Sequence, residues 1–141
     1  MSDPSIAIQN AIEAALRTAS AVKSEFGGTT RLYTLSAPAD APLPHIIIGE
    51  DLIIGDDIVC GSASDVAVTV HIYARETTPA ASRLKAKAIA AAVRATLSAE
   101  LTIAGHVVDD WTYETTRHLT DQDGLTAHSI VELTYLTSPS T

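Results

Sequence analysis

The architecture of this chain is set by Asp40-Ala-Pro-Leu-Pro-His-Ile-Ile-Ile-Gly49, where a proline-rich turn leads directly into consecutive isoleucines. Prolines at positions 38, 42 and 44 exclude regular structure from Ser36 to Pro44. β-Branched residues favour extended chain, and a strand with few polar positions is typical of the middle of a sheet. The segment from His45 to Gly49 is therefore predicted to be a central strand.

A second strand is predicted from Asp65 to Ala74, where apolar and polar side chains alternate. A period of two is typical of a strand that buries one face. The face expected to be buried carries Val66, Val68, Val70 and Ile72, and the other carries Ala67, Thr69, His71 and Tyr73. Between the two strands, residues 50–64 mix acids, glycines and apolar residues, which predicts a loop or a long, mobile hairpin.

Two helices are predicted, one before and one after these strands. The first spans residues 4–25, because apolar residues recur there at helical spacing until Gly27-Gly28 interrupts the pattern. The second spans residues 79–97, with Thr78 as its N-cap and a proline in its first position. Its alanines indicate close packing, so one stripe is expected to lie against the sheet: Leu84, Ala88, Ala91 and Ala95, with Ile89, Val93 and Leu97 on an adjacent stripe.

The C-terminal third is predicted to form a β-hairpin. Its strands run through Trp111 to Thr115 and from Leu125 to Leu136, and Asp121-Gln-Asp-Gly124 is the turn, because Asp-Gly accepts positive φ. A short strand is also predicted from Arg31 to Leu35. The 141 residues therefore form a single α+β domain, in which two helices pack on one face of a mainly antiparallel sheet.

The charge of the chain is negative and unevenly distributed. The net charge of −8 argues against ordinary nucleic-acid binding, which uses clustered Lys and Arg. No Lys or Arg occurs between Arg31 and Arg75, whereas acids are frequent there. The acids of the candidate site are Glu50, Asp51, Asp56, Asp57 and Asp65. They form either a solvated loop or a surface that repels an anion or contacts a partner.

Targeting signals are not found in the sequence. Its start, Met1-Ser-Asp-Pro4, lacks the basic and apolar regions of a signal peptide. No run of about 18 apolar residues occurs, so no membrane span is expected. Cys60 is the single cysteine, which excludes an intrachain disulfide. The sequence therefore predicts a cytoplasmic protein.

The C-terminal hairpin contains residue types that bind metals. A zinc site there would use His118 and His128, facing each other across the hairpin, with Asp121 or Asp123 as a third ligand. Neither His-x-x-x-His nor Cys-x-x-Cys spacing occurs in the chain. A solvated hairpin is therefore the favoured interpretation, and no metal is predicted.

Catalytic motifs are equally weak. Cys60 has neither a cation nor a helix N-terminus near it in sequence to activate its thiol. Gly61-Ser-Ala-Ser64 lacks the strand–turn–helix context of a nucleophile elbow. Asp109 and Asp110 are neighbours on a predicted strand and so point to opposite faces. No catalytic residue and no cofactor are predicted, and Trp111 is expected in the core or in a subunit interface.

The order of these patterns resembles the tail-completion, or tail-terminator, proteins of long-tailed bacteriophages and phage-like particles. The likeness covers nearly the whole chain. Its matching features are the first helix with Ala15-Leu16, the turn from Ala37 to Pro44 leading into Ile46-Ile-Ile-Gly-Glu50, the strand Val68-Thr-Val-His-Ile-Tyr73 followed by the alanine-rich helix, and the closing hairpin from Arg117 through Asp123-Gly124 to His128 and Glu132.

The resemblance implies a structural protein without enzymatic activity. It implies a hexameric ring that caps the tail tube, with the tube protein and the head–tail connector as partners and DNA passing through the lumen. Such a protein would assemble in the bacterial cytoplasm and reside in the tail or neck of a phage or gene-transfer particle. The alternatives are another neck or tube component, such as a head–tail adaptor, and a small homo-oligomeric α+β enzyme.

Overall fold

The structure, a computed structural model, describes residues 3–58, 61–98 and 101–140. In chain order its elements are α1 (Ser5–Thr18), α2 (Ser20–Ser24), β1 (Leu32–Thr34), β2 (His45–Ile58), β3 (Gly61–Ala74), α3 (Pro79–Leu97), β4 (His106–Thr120) and β5 (Ala127–Pro139).

The strands form one sheet in the order β1-β2-β3-β5-β4. β1 pairs in parallel with β2, with Leu32 opposite Ile46, and the other neighbouring strands are antiparallel. The predicted α+β class with a mainly antiparallel sheet is confirmed. The predicted central strand at residues 45–49 is also confirmed, because β2 lies between β1 and β3.

The core lies on one face of the sheet, which we call the helix face. All three helices contribute to a single buried cluster with this face. The largest fully buried side chains include Ile8, Ile12 and Leu16 of α1, Ile89 and Leu97 of α3, and Ile72, Leu133 and Tyr135 of the sheet. The opposite side, which we call the open face, carries half-buried residues of β3 such as Thr69, His71 and Tyr73. The predicted alternation of β3 is therefore confirmed.

The first predicted helix is divided in two at Ala19, whose ψ of 121° is extended. A continuous helix would give the carbonyl of Leu16 to the backbone N–H four residues later. Thr30 Oγ1 donates a hydrogen bond of 3.2 Å to that carbonyl instead. Val22 of α2 remains fully buried in the core. The helix face therefore carries two long segments and one short one, rather than two helices.

The second helix has the predicted bounds but presents the other stripe to the sheet. Thr78 Oγ1 accepts the N–H of Ala81 at 3.1 Å, which confirms the N-cap. The stripe expected to pack is exposed at Leu84, Ala88, Ala91 and Ala95, so that prediction is wrong. Ile89, Val93 and Leu97 are fully buried in its place. The physical reason is area, because these larger aliphatic side chains remove more apolar surface from water than alanines do.

The described residues of the segment 50–64 are strand rather than loop, which confirms the alternative of a long hairpin; residues 59 and 60 lie outside the described part, and the predicted mobility stays a prediction. β2 and β3 each run for 14 residues and pair in register from Asp51 opposite Val68 to Ile58 opposite Gly61. We call this part of the hairpin the arm, since it lies beyond the pairing of β1 with residues 46–48 of β2.

Candidate functional site

The candidate acids fall on different sides of the sheet. Glu50 is exposed and lines a cavity of the open face together with His71 and Tyr73. Asp65 precedes buried Val66 and so also belongs to the open face. Asp51 lines a different cavity, on the helix face, with Ile8 and Ile12 of α1. The backbones of Asp56 and Asp57 pair with Ala63 and Ser62, but their side chains lie outside the described part.

A β-bulge produces this separation. Ile48 pairs with Val70 and Asp51 pairs with Val68, so Gly49 and Glu50 together stand opposite the single residue Thr69. One extra residue reverses which side chains face the core in the rest of the strand. Asp51 therefore lies on the helix face, whereas a regular strand would place it on the open face.

At the bulge the ring of His71 lies over Gly49, so any larger residue at this position would have to displace the ring. A Cβ atom at Gly49 would stand 2.7 Å from Cδ2 and 2.8 Å from Nε2 of His71, closer than van der Waals contact with either atom allows. On its other side, Nδ1 of His71 is 2.8 Å from Nε2 of His128. The imidazole ring is therefore held between a glycine and a second histidine.

The two histidines belong to an aromatic row on the open face. Tyr73 stacks on His128 with centroids 4.2 Å apart, and His45 lies between Tyr73 and Tyr33. Burial lowers the pKa of His71, with Glu50 opposing the shift, and burial followed by the charge of His71 lowers the pKa of His128. Neutral imidazoles can share one N–H as donor and acceptor, which suits the short contact.

A second candidate surface is a groove of about 680 Å³ between α3 and β4 on the helix face. Its lining includes Lys87, Ala91, Arg94 and Ala95 of α3, and Trp111, Tyr113, Thr116 and His118 of β4. The groove is where the misassigned alanine stripe lies. Alanine side chains are small, so the side of the groove that α3 forms does not cover the aromatic side chains of β4.

The groove has a positive rim. The guanidinium of Arg94 lies 3.7 Å from the centroid of the Tyr113 ring, a cation–π contact. Burial lowers the pKa of His118, and the nearby charges of Lys87 and Arg83 lower it further. Among the described residues that line the groove, none is acidic. In a chain with a net charge of −8, this concentration of cations is a local exception.

Trp111 is 40% exposed at this groove, so it does not belong to the core of the subunit. The other sequence interpretation, a subunit interface, stays a prediction. Sequence reasoning did not find the groove as a whole, because its two sides come from elements far apart in the chain. The run of alanines on α3 is the signal of the groove in the sequence, but helical spacing alone does not distinguish it from a stripe that packs in the core.

The family model of tail completion protein gp17 matches residues 10–138 of this chain. The chain belongs to this family. No curated protein matches its sequence.

Two solved structures share the fold of this tail completion protein. A chain in the virion of a native gene transfer agent particle has a TM-score of 0.81 and 17% identity, over 98% of this chain and 99% of that chain. The gp17 protein of bacteriophage SPP1 has a TM-score of 0.57 and 20% identity, over 93% of this chain and 88% of that chain. The family model confirms the predicted family, and these two structures share its fold.

Tail completion proteins are structural, so the prediction that this chain is not an enzyme is confirmed by its family. Within residues 3–58, 61–98 and 101–140, no three His, Cys, Asp or Glu side chains cluster closely enough to hold a metal ion. No described helix combines the length and hydropathy that crossing a bilayer requires.

The facing histidines of the predicted hairpin are not brought together. In the register of this tail completion protein, His118 stands opposite Ser129 and bonds to its Oγ at 2.7 Å. His128 stands opposite Leu119 and faces His71 of β3 instead. Neighbouring positions on a strand point to opposite faces, so a shift of one residue in register separates the two imidazoles.

The turn of that hairpin agrees with the sequence. Gly124 has a φ of 72°, as the Asp-Gly pair predicts. Asp123 accepts hydrogen bonds from the N–H groups of Leu125 and Thr126 and from Arg75 Nη2. These bonds, with that from the hydroxyl of Thr126 first among them, hold the pKa of the Asp123 carboxyl far below its usual range. The carboxylate therefore acts as a structural cap of the turn.

Proposed function

We propose that this chain is the subunit of a hexameric ring that caps the tail tube and joins the tail to the head connector of a phage or gene-transfer particle. The observation that carries the proposal is the extent of the likeness. The family match covers residues 10–138, and a chain of a gene transfer agent virion shares the fold over 98% of this chain.

The shape of the subunit supports a ring. The helices cover only one face of the sheet, and the open face keeps polar and charged side chains such as Glu50, Asp65 and Glu132 in solvent contact. A ring of such subunits can turn its helices outward and its open faces toward a common channel. A closed ring stops growth, because every subunit contact is then satisfied.

The acids between Glu50 and Asp65, with the exception of Asp51, are proposed to lie at the lumen or its mouth. Glu50 and Asp65 belong to the open face, and Asp56 and Asp57 follow in the same strand pair. Hydrated carboxylates repel DNA phosphates, and each charge acts over about 8 Å at physiological salt. Repeated around a ring, they would let DNA slide without sticking. Asp51, on the helix face, is assigned to a contact between proteins.

A deletion strain tests the ring function. Without this protein we expect tails of abnormal length and heads without tails, and a plasmid copy of the wild-type chain should restore joined particles. Electron microscopy of purified particles measures both outcomes. Normal-length tails that are merely unattached would indicate a head–tail adaptor instead. Normal tails joined to heads would refute any role in tail completion.

A further inference from the structure

The two histidines of the open face lie where the arm begins. Nδ1 of His71 and Nε2 of His128 are 2.8 Å apart, and the ring centroids are 5.0 Å apart. On its other side the ring of His71 lies over Gly49, the first residue of the bulge. Tyr73 stacks on His128 with an angle of 15° between the ring planes. The pair therefore links β2, β3 and β5 at the base of the arm.

The short contact limits how many hydrogen atoms the two rings can hold between them. A neutral imidazole has one N–H and one acceptor nitrogen, so one ring of the pair donates to the other. One additional proton can bind to the outer nitrogen of the donor ring, and the hydrogen bond is then charge-assisted. A second additional proton must bind to the acceptor nitrogen. Two N–H groups would then face each other between two cationic rings, so the contact breaks.

The surroundings of the pair act on its charge in two opposite ways. Burial lowers the pKa of both histidines, and the charge of His71 lowers that of His128 as well. The other titratable rings beside the pair are Tyr73 on β3 and His45 on β2. The charged side chains that act on the pair come from β2, β4, the β4–β5 turn and β5: Glu50, Arg117, Asp121 and Glu132.

Three of these four charged side chains are acids, and Arg117, which is the cation, lies 3.7 Å from Glu132. A second charge on the pair is therefore opposed by burial and by the first charge, but it is attracted by the carboxylates. The second proton consequently binds below the ordinary imidazole value of about 6.5.

The open face offers a charged His71 a second position. A cavity of about 500 Å³ lies beside its ring and is lined by Glu50, Gly49, Leu35 and other residues of this face. Side chains occupy discrete staggered rotamers, so the imidazole can turn about its Cα–Cβ bond into this cavity. There the carboxylate of Glu50 can pair with it. The charge of Glu50 already acts on His71 in the position that the structure shows.

We propose that His71 and His128 form a proton-controlled switch at the base of the arm. The switch is closed while the two rings share one hydrogen, and it opens when both imidazoles are charged, with His71 turning from His128 to Glu50. Opening removes the ring from Gly49, so the bulge loses a packing partner and the arm gains freedom relative to the rest of the sheet. The inference concerns the single subunit and does not depend on the proposed ring.

The switch makes the stability of the fold depend on pH in one direction. In the unfolded chain the imidazoles titrate near about pH 6.5, whereas burial lowers the pKa of both in the folded chain. The unfolded chain therefore binds more protons below that pH. The stability that the closed pair contributes is complete above about pH 6.5 and is lost as the pH falls below it.

NMR spectroscopy of the full chain with isotope-labelled histidines tests the closed and open states. Above about pH 7 a scalar coupling should connect Nδ1 of His71 with Nε2 of His128 through the shared hydrogen. As the pH falls to about 5, this coupling should disappear, and the amide signals of Gly49 and Glu50 should shift with the same midpoint. A coupling that is absent at neutral pH overturns the inference. So does a coupling that persists at about pH 5 while the Gly49 signal stays in place.

Glu50→Gln tests the second position of His71. Without the carboxylate a charged His71 is less favoured, so the midpoint of the Gly49 shift should move to lower pH. Glu76→Gln is the matched control, because Glu76 is exposed and lies between β3 and α3, away from the pair. It should leave the midpoint unchanged. Equal midpoints in the two variants would overturn the movement toward Glu50.

His128→Gln separates the switch from a merely structural contact. The amide of glutamine can accept the N–H of His71 but cannot take up a proton, so a charged His71 can stay bonded to it. The Gly49 shift on acidification should therefore be lost. Urea denaturation should also show a smaller loss of stability between about pH 7 and about pH 5.5 than in the wild type. Either an equal loss in both proteins or a Gly49 shift that persists in the variant overturns the switch.

Discussion

Gly49 shows how one missing side chain organises the open face. The ring of His71 occupies the space that a Cβ would need and reaches His128 on its other side. We expect Gly49→Ala to displace His71, to break the contact with His128 and to lower the free energy of unfolding by about 1–3 kcal/mol. Urea denaturation measures this loss.

Gly55→Ala is the matched control on the same strand. A Cβ there meets nothing within 4 Å, so we expect a neutral or slightly stabilising effect. Equal effects of the two substitutions would mean that His71 is free to move and that the histidine pair contributes no stability.

The role of Gly49 was not predictable from the sequence. The residue was visible as the end of an isoleucine run, and the strand before it was predicted correctly. The bulge is defined by the pairing opposite Thr69, and the ring of His71 occupies the space that a side chain at Gly49 would need. Both residues lie on the neighbouring strand. The residue pattern along one strand contains no information on either contact. Asp51 was consequently grouped with Glu50, although the bulge places the two on opposite faces.

At the scale of elements, α3 provides the clearest contrast between pattern and packing. Ala90 is 2% exposed, whereas Ala91 is exposed at the groove. We expect Ala90→Leu to overpack the core and lower the free energy of unfolding by about 1–3 kcal/mol. Ala91→Leu should leave the stability unchanged to within about 0.5 kcal/mol. Thermal or urea denaturation of the two variants distinguishes them, and a larger loss for Ala91→Leu would place the wrong stripe in the core.

Periodicity located this helix and its N-cap but could not choose between its stripes. Both repeat at helical spacing, and the choice depends on which one meets the large apolar side chains of β3 and β5. The first helix shows a similar limit. Its break at Ala19 depends on a hydrogen bond from Thr30, which lies outside the helix. The helices and strands and their order were therefore predictable from the sequence. Which side of a helix is buried, and whether a helix is continuous, depend on tertiary contacts that the sequence pattern does not contain.

At the scale of the whole molecule, the sequence indicated the family and the acidic segment but not the groove with its positive rim. The cations Lys87 and Arg94 are dispersed along α3, and Trp111 lies on a different element. Only the fold brings them to one groove. The same fold places Asp51 on the helix face and leaves Glu50 and Asp65 on the open face, so the acids of this segment are divided between two faces.

This division allows the lumen proposal to be tested while Asp51 on the helix face is left unchanged. Glu50→Gln combined with Asp65→Asn removes two open-face charges and retains Asp51. If the open face lines the channel, particles should assemble normally and eject DNA more slowly, because phosphates would no longer be repelled from the wall. Ejection is measured by the release of DNA from purified particles.

Asp40→Asn combined with Glu76→Gln is the control for the loss of two charges, because both acids are exposed and lie outside the arm. It should eject DNA at the wild-type rate. Free heads or overlong tails from the Glu50 and Asp65 variant would instead mean that these acids dock onto a basic patch of a tail protein. Wild-type assembly with wild-type ejection would remove the open face from the channel, since hydrated carboxylates at the wall cannot be neutral toward passing DNA at distances comparable to the Debye length.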